Sequence, residues 1–277
     1  MPGSLLTPLD PDSRDVAPGD MRARDSLSLA SPRPIEAAAA TDCGSLHAEN
    51  EDAHSGLPGL GRVFVVADGV GGGAMAALAS RHLVAHLHAA LDHHRVDPER
   101  VCRAMQQADR AIAHRIAELT PASGAATVAL CAPLNAACSK WLIAWVGDCR
   151  VYRLPECTGR AVELLTRDDT YRNCNERPPS GGSLDDPARM VGNGATHAPN
   201  VQIHELGFGE LLMLCSDGVH KHVDALAWAR LATQASSVAQ RCADLITDVR
   251  ANGSVDDATV LMLRRVPQCA LNRGCAP

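Results

Sequence analysis

The chain has 277 residues, enough for one large domain or two small ones. Hydrophobic residues make up 46% but aromatics only 3%, so a core must be built from Ala, Val and Leu. The net charge of −6 and the absence of any run of five or more like charges exclude the basic stripe of a nucleic-acid-binding surface. No apolar run approaches the roughly 18 residues of a membrane span. The N-terminus lacks a basic region followed by an apolar core, so no signal peptide is expected. Eleven cysteines without a single C-x-x-C pair make neither a zinc ribbon nor a redox motif. Cys131 and Cys215 sit inside apolar runs and read as small buried hydrophobes. A reducing cytoplasm is the expected compartment.

Residues 1–34 are rich in Pro, Asp, Ser and Arg without periodicity and read as a disordered leader. One domain is expected over residues 35–266, with an unstructured tail over 267–277. Ile35 to Thr41 is a first candidate strand, followed by a polar turn that ends in Glu51 and Asp52. The run Val63 to Ala67 reads as a buried strand. A helix is expected from about Ala74 to His93, with Leu83, Leu87 and Leu91 on one stripe. A second begins near Asp97, an N-cap residue followed by Pro98, and carries Val101, Met105, Ala108, Ile112, Ile116 and Leu119 at helical spacing. These two helices are expected side by side on a sheet.

Strand signals then dominate: Thr127 to Cys131, Trp141 to Val146, Arg150 to Leu154, Ala161 to Leu165 and Val201 to Leu206. Gly147-Asp148-Cys149 is a tight turn between two of them. Asp168 to Pro199 reads as a long loop. Leu211 to Cys215 is another apolar run that stops at an acid, in Ser216-Asp217-Gly218. Two helices (about Asp224 to Thr233 and Ser237 to Ala251) precede a last strand, Ala258 to Leu263, which follows Asp256-Asp257.

The stretch Val63 to Gly73, VFVVADGVGGG, organises the rest. Its glycines allow a sharp turn and a close ligand. Gly69 to Ala74 has the spacing of a dinucleotide fingerprint, but Asp68 would repel a pyrophosphate, and the first helix runs into a second helix rather than a strand. Asp68 therefore reads as a metal-binding carboxylate in an open turn at a strand end. Glu51-Asp52, Asp217-Gly218 and Asp256-Asp257 also lie where strands begin or end. Each Asp-Gly alone could be an ordinary turn. Gathering four acidic sites in one place requires cations to neutralise them. Oxygen ligands without His or Cys favour hard ions, Mg²⁺ or Mn²⁺. Two such ions can clamp a phosphoryl group, so the residues alone read as a two-metal phosphoryl hydrolase. His82 and His86, four apart on a helix, lack the zincin Glu and read as a solvated face. Trp141 and Trp145 read as core.

Seven motifs in order carry a resemblance. They are NEDAH at Asn50, FVVADGVGGG at Phe64, Gly-Ala-Ala-Thr at Gly124, WVGDCRVYRL at Trp145, LTRDDT at Leu165, LLMLCSDGVHKHV at Leu211 and DDATVLML at Asp256. Over about Ile35 to Arg265 the chain resembles the metal-dependent serine/threonine protein phosphatases of the type 2C (PPM) group in their bacterial form. The resemblance implies an α+β fold: a four-layer α/β/β/α sandwich, two antiparallel sheets flanked by helix pairs, with metals at one end between the sheets. It implies that Asp68 bridges two Mn²⁺ or Mg²⁺ ions and that the Gly69 carbonyl binds one of them. Asp217 and Asp256 complete one site, Glu51 lies at the second ion, and Asp52 orients metal-bound water. A metal-bridging hydroxide would attack phosphorus in line, without a covalent enzyme intermediate. Phosphorylated proteins are the implied partners, with a serine/threonine kinase opposing the enzyme. Asp148 and Asp168, in family motifs, are expected to serve turn and packing.

Three departures from the family pattern set further expectations. Four residues before the first acid, where the family usually carries a phosphate-gripping Arg, this chain has His47. An imidazole lacks the bidentate fork, so phosphate binding is expected to be weaker and to improve toward pH 6. Val70 follows the Asp-Gly, so leaving-group protonation has no assigned acid. No acid stands before Gly124 until Glu118, which argues against a third metal site. The segment Thr170 to Pro187, where the family often carries a substrate flap, is short and rich in Pro and Gly. A phosphatase-like binding module with little turnover is the alternative, carried by His47 and the missing third-site acid. A small-molecule phosphatase is compatible with the same cluster.

Overall fold

The computed structural model describes residues 35–56, 61–93, 95–156, 160–194, 198–233 and 236–267. The expected leader, and the expected tail beyond Pro267, lie outside the described residues. The first half of the chain carries β1 (Ile35–Asp42), β2 (Asp52–His54), β3 (Phe64–Val70), α1 (Ala74–Leu91), α2 (Pro98–Leu119), β4 (Ala125–Pro133) and β5 (Lys140–Val146). The second half carries β6 (Arg150–Pro155), β7 (Glu163–Leu164), α3 (Tyr171–Cys174), β8 (Asn200–Glu205), β9 (Glu210–Cys215), α4 (Asp217–His220), α5 (Ala225–Thr233), α6 (Val238–Ala251) and β10 (Ala258–Arg265).

The strands form two antiparallel five-stranded sheets, in the orders β1-β10-β9-β6-β7 and β2-β3-β4-β5-β8. Three apolar clusters hold the layers together. One joins Leu83, Leu87, Leu91, Met105 and Ile112 of α1 and α2 to Val65, Val128 and Leu142 of the second sheet. A middle cluster, with Phe64, Trp141, Trp145, Leu214 and Leu261, lies between the sheets. The third packs Leu231 of α5 and Cys242, Leu245 and Val249 of α6 on Met213 and Met262 of the first sheet. The fold is thus α+β, with two antiparallel sheets and the helix pairs on their outer faces. Among the described residues, no helix is long and apolar enough to cross a membrane.

Local chemistry accounts for most boundaries. Asp97 caps α2 by accepting from the Arg100 amide at 2.9 Å, and Pro98 occupies the first turn, where a missing N–H costs nothing. Apart from Thr127 and Glu210, β4 and β9 are apolar along their length because both of their faces are covered, one by the other sheet and one by helices.

Three elements depart from the sequence reading. The expected strand over Ala161 to Leu165 shrinks to Glu163–Leu164, both exposed, at the sheet edge. The expected loop Asp168 to Pro199 contains α3, whose N-cap Thr170 accepts from the Asn173 amide, and is stitched down by the bridges Ala126↔Val191 and Thr170↔Pro187. Gly147-Asp148-Cys149 does turn the chain between β5 and β6, but these strands belong to different sheets. The turn therefore crosses the sandwich instead of closing a hairpin, and it sets Asp148 at the end where the two sheets meet.

Candidate metal centre

The acids converge because antiparallel register brings alternate strand ends to one rim. In one sheet, Asp52 of β2 lies opposite Asp68 of β3, which lies opposite Thr127 of β4. In the other, Cys215 at the end of β9 lies between Arg150 and Val260, at the starts of β6 and β10. Asp217 thus follows β9 at the same end from which Asp256 and Asp257 lead into β10. Ser216 ties the halves together: its Oγ donates to Asp52 Oδ2 at 2.7 Å and accepts from the Thr259 amide at 3.0 Å.

Asp68 does not stand in an open turn after the strand. β4 runs on beside it to Ala125 and pairs with Gly69 and Val70, so backbone hydrogen bonding carries β3 two residues past Asp68. Asp217 likewise begins the helical turn α4. Neither Asp-Gly is a β-turn, and each glycine serves close approach instead. A Cβ on Gly69 would lie 2.5 Å from the Ala76 carbonyl oxygen, and one on Gly218 would lie 2.0 Å from that of Asp257. The glycines let neighbouring backbone pack directly behind each acid.

Glu51 is buried, with its backbone held from three directions. Its carbonyl accepts from the Gly69 amide at 3.1 Å and from Ser80 Oγ at 2.6 Å, and its amide donates to Asp257 Oδ2 at 2.8 Å. Its carboxylate accepts from the Gly73 amide. Asp257 also accepts from the Gly44 amide at 2.8 Å. This second acid of the Asp256-Asp257 pair is buried and orders the loop around the first, a role the sequence reading missed. Sharing a dipeptide with a candidate ligand was the only signal for it.

The electrostatics of the rim are unrelieved. Burial pushes the Asp52 carboxyl up to about 7, helped by Asp217 and Asp257 and opposed by the hydroxyls of Ser216 and Thr259. Asp52 Oδ1 is buried without a hydrogen-bond partner. Burial and then Asp217, Asp52, Asp148 and Asp256 hold Asp68 well above the usual carboxylate range. Burial, then Asp217, lifts Asp148 to about 7 and raises Asp256 as well. Burial also raises Glu51. Asp217 is the exception. Burial would raise it, but Lys221, with Nζ 2.6 Å from Oδ2, brings it below its ordinary value.

An oxygen-only set of crowded carboxylates, with one buried oxygen left unpaired, fits hard divalent cations. Glu51, Asp68, Asp217, Asp256 and the neighbouring Gly69 form the set that could hold them. His47 stands at the same rim, with Nδ1 3.8 Å from Glu51, 3.9 Å from Asp256 and 3.4 Å from Asp257. Asp168 is engaged by Arg150 through contacts of 2.7 to 3.2 Å, as a packing residue would be. Glu118 is exposed on α2 and pairs with His114 and Arg115 of its own helix. Lys221 is a second residue the sequence reading missed. Its position four after Asp217 was the available signal, because the turn of α4 brings i and i+4 together.

A sequence profile described as Protein phosphatase 2C matches residues 45–250, and the chain belongs to that family. The fold is similar to the catalytic domain of the serine/threonine protein phosphatase PstP, solved with two manganese ions. That likeness has 25% identity and a TM-score of 0.69, over 84% of this chain and 99% of that one. It is equally similar, by the same four measures, to the PPM Ser-Thr phosphatase MsPP from Mycobacterium smegmatis, solved with cacodylate. Stp1 from Staphylococcus aureus, 20% identical with a TM-score of 0.71 over 83% of this chain and 94% of that one, shares the fold. No curated protein sequence matches the chain.

Proposed function

We propose that this protein removes phosphate from phosphoserine and phosphothreonine in proteins, using two Mn²⁺ or Mg²⁺ ions held at the rim. The observation that carries this reading is the meeting of Glu51, Asp52, Asp68, Asp217 and Asp256 from both sheets at one end, with Asp52 Oδ1 unpaired. Family membership and the two manganese ions of PstP support it. Asp68, Asp217, Asp256, Glu51 and the Gly69 carbonyl are the groups that would hold the ions, with Asp68 common to both. When bound, such ions polarise a phosphoryl group and make water nucleophilic near neutral pH. Asp52, with one oxygen fixed by Ser216 and one left over, is placed to orient water and take its proton. His47, beside the same acids, contributes to holding phosphate.

Substrates are phosphoproteins of the cytoplasm made by an opposing serine/threonine kinase. The domain that does this spans residues 35–266. The test is hydrolysis of p-nitrophenyl phosphate with and without Mn²⁺, wild type beside Asp217→Asn. The expected result is Mn²⁺-dependent turnover that the variant lowers at least about 100-fold. Turnover that ignores both Mn²⁺ and the substitution would overturn the reading. Inert wild type that still binds Mn²⁺ would leave a binding module.

A further inference from the structure

We infer that His47 Nδ1 is itself a ligand of the metal centre, which gives this cluster a nitrogen donor and a preference for transition-metal ions such as Mn²⁺ over Mg²⁺. The inference rests on the two-metal reading above and concerns how this chain departs from an all-oxygen site.

Three distances carry it. Nδ1 lies 3.8 Å from Glu51 Oε2, 3.9 Å from Asp256 Oδ1 and 3.4 Å from Asp257 Oδ2. The first two are too long for hydrogen bonds, and the third is marginal. A histidine that merely paired with an acid would close on one carboxylate at about 2.8 Å. Here its one hydrogen bond, to Asp257, is long at 3.4 Å, and Glu51 and Asp256 lie beyond hydrogen-bond range. Donor atoms that share one ion, each about 2.1 Å from it, lie roughly 3 to 4 Å from one another. The donor atoms of His47, Asp256 and Asp257 all fall within 4.8 Å of each other, close enough to share one ion.

The ring is held there by backbone and not by chance. The Gly44 amide donates to Asp257 Oδ1 at 2.8 Å, and the Ser45 and Leu46 amides donate to the Val255 carbonyl at 2.8 and 3.2 Å. A Cβ on Gly44 would lie 2.2 Å from that carbonyl, so the segment needs glycine to dock. Three consecutive amides therefore fasten the residues before His47 to Val255 and Asp257, which flank Asp256. The nearby Asp52, buried with Oδ1 unpaired, is an independent sign that the rim is short of a positive partner. An imidazole bound through Nδ1 keeps its proton on Nε2, which stays available to donate to a phosphate oxygen. Ligation and phosphate contact are thus two ends of one ring.

Imidazole suits transition metals, whereas all-oxygen sets suit Mg²⁺ equally well. The experiment is pulsed electron paramagnetic resonance of Mn²⁺ bound to the full chain, read for coupling to ¹⁴N, with calorimetric titration of Mn²⁺ and Mg²⁺ on the same samples. Variants are His47→Asn, His47→Arg and, because His220 contacts the Asp148 carbonyl nearby, His220→Gln. Nitrogen coupling is expected in wild type and in His220→Gln, and is expected to disappear in both His47 variants. The ratio of Mn²⁺ to Mg²⁺ affinity should fall about tenfold with the signal. Two bound Mn²⁺ without nitrogen coupling, or coupling that vanishes only in His220→Gln, would overturn the inference and leave the two-metal reading intact. Absence of Mn²⁺ binding to wild type would overturn both.

Discussion

Two parts of this molecule set a histidine beside carboxylates, and they resolve it in opposite ways. In the first, Ser55, His88 and Asp92 form a closed relay under the second sheet. Ser55 Oγ lies 2.8 Å from His88 Nε2, and His88 Nδ1 lies 2.6 Å from Asp92 Oδ2. The Val65 amide donates to Ser55 Oγ, and the Arg62 and Val63 amides donate to Asp92 Oδ1. Against the cost of burial, His88 and those amides hold the Asp92 carboxyl below its ordinary value. The order resembles a nucleophile–base–acid triad, but Ser55 is buried and already engaged by backbone, so the relay fastens the end of α1 to the β2–β3 hairpin. At the acidic rim, by contrast, Asp52, Asp68, Asp148, Asp256 and Glu51 are all held above their ordinary values, and one buried oxygen has no partner. A satisfied cluster spends its charge on stability. The acids of the rim are not satisfied within the chain.

The largest effect that would sharpen this contrast is at Asp68. Asp68→Asn should lower Mn²⁺-dependent hydrolysis at least about 100-fold. The same change should raise the melting temperature of the metal-free protein, because it removes a charge from a crowded rim. Loss of both activity and metal-free stability would break the comparison. In the relay the signs reverse: Ser55→Ala strands the Val65 amide and His88. It should cost roughly 1–3 kcal/mol of stability in a denaturant titration, with turnover unchanged below the transition.

Acidity separates the two regions next. Between about pH 8 and 6.5 the metal-free folded state takes up protons at Asp52 and Asp148, both near 7, while the unfolded carboxyls, near 4, do not. Metal-free stability should therefore rise as pH falls through that window. Below it the gain is opposed by His220, which burial keeps neutral down to about 4 and which charges more readily when unfolded. Asp92 adds nothing there, since a depressed carboxyl loses its contribution only as pH falls through its own lower value. Thermal melts in chelator and in saturating Mn²⁺ check this, and the slope should vanish with metal bound. The smallest effect is at Lys221, half-exposed beside Asp217. Lys221→Gln removes a competing cation and should tighten Mn²⁺ about fivefold by calorimetry, equivalent to ~1 kcal/mol for a solvent-screened pair.

Much of this was readable in the sequence because it is local. The buried strands appear as apolar runs, α2 announces itself with Asp97-Pro98, and the acids stand next to strand ends. What was hidden depends on partners far along the chain. β2 is only three residues, Asp52–His54, and is a strand because β3 pairs with it. The crossing at Gly147 looks like a hairpin turn until β8 and β9 claim the two strands. Asp257 anchors Gly44 and Glu51 across more than 200 positions, and His88 reaches Ser55 across 33, so no local period encodes either. His86 sits on a face read as solvated, yet it is half-buried and its Nε2 is unpaired.

The most direct measurement is calorimetric titration of Mn²⁺ into metal-free protein, wild type beside Asp68→Asn and Asp92→Asn. Two ions per chain in wild type and in Asp92→Asn, with at most one in Asp68→Asn, is the result this account predicts. Failure of wild type to take up Mn²⁺, or equal uptake by Asp68→Asn, would contradict the claim that the unsatisfied rim is built for metal.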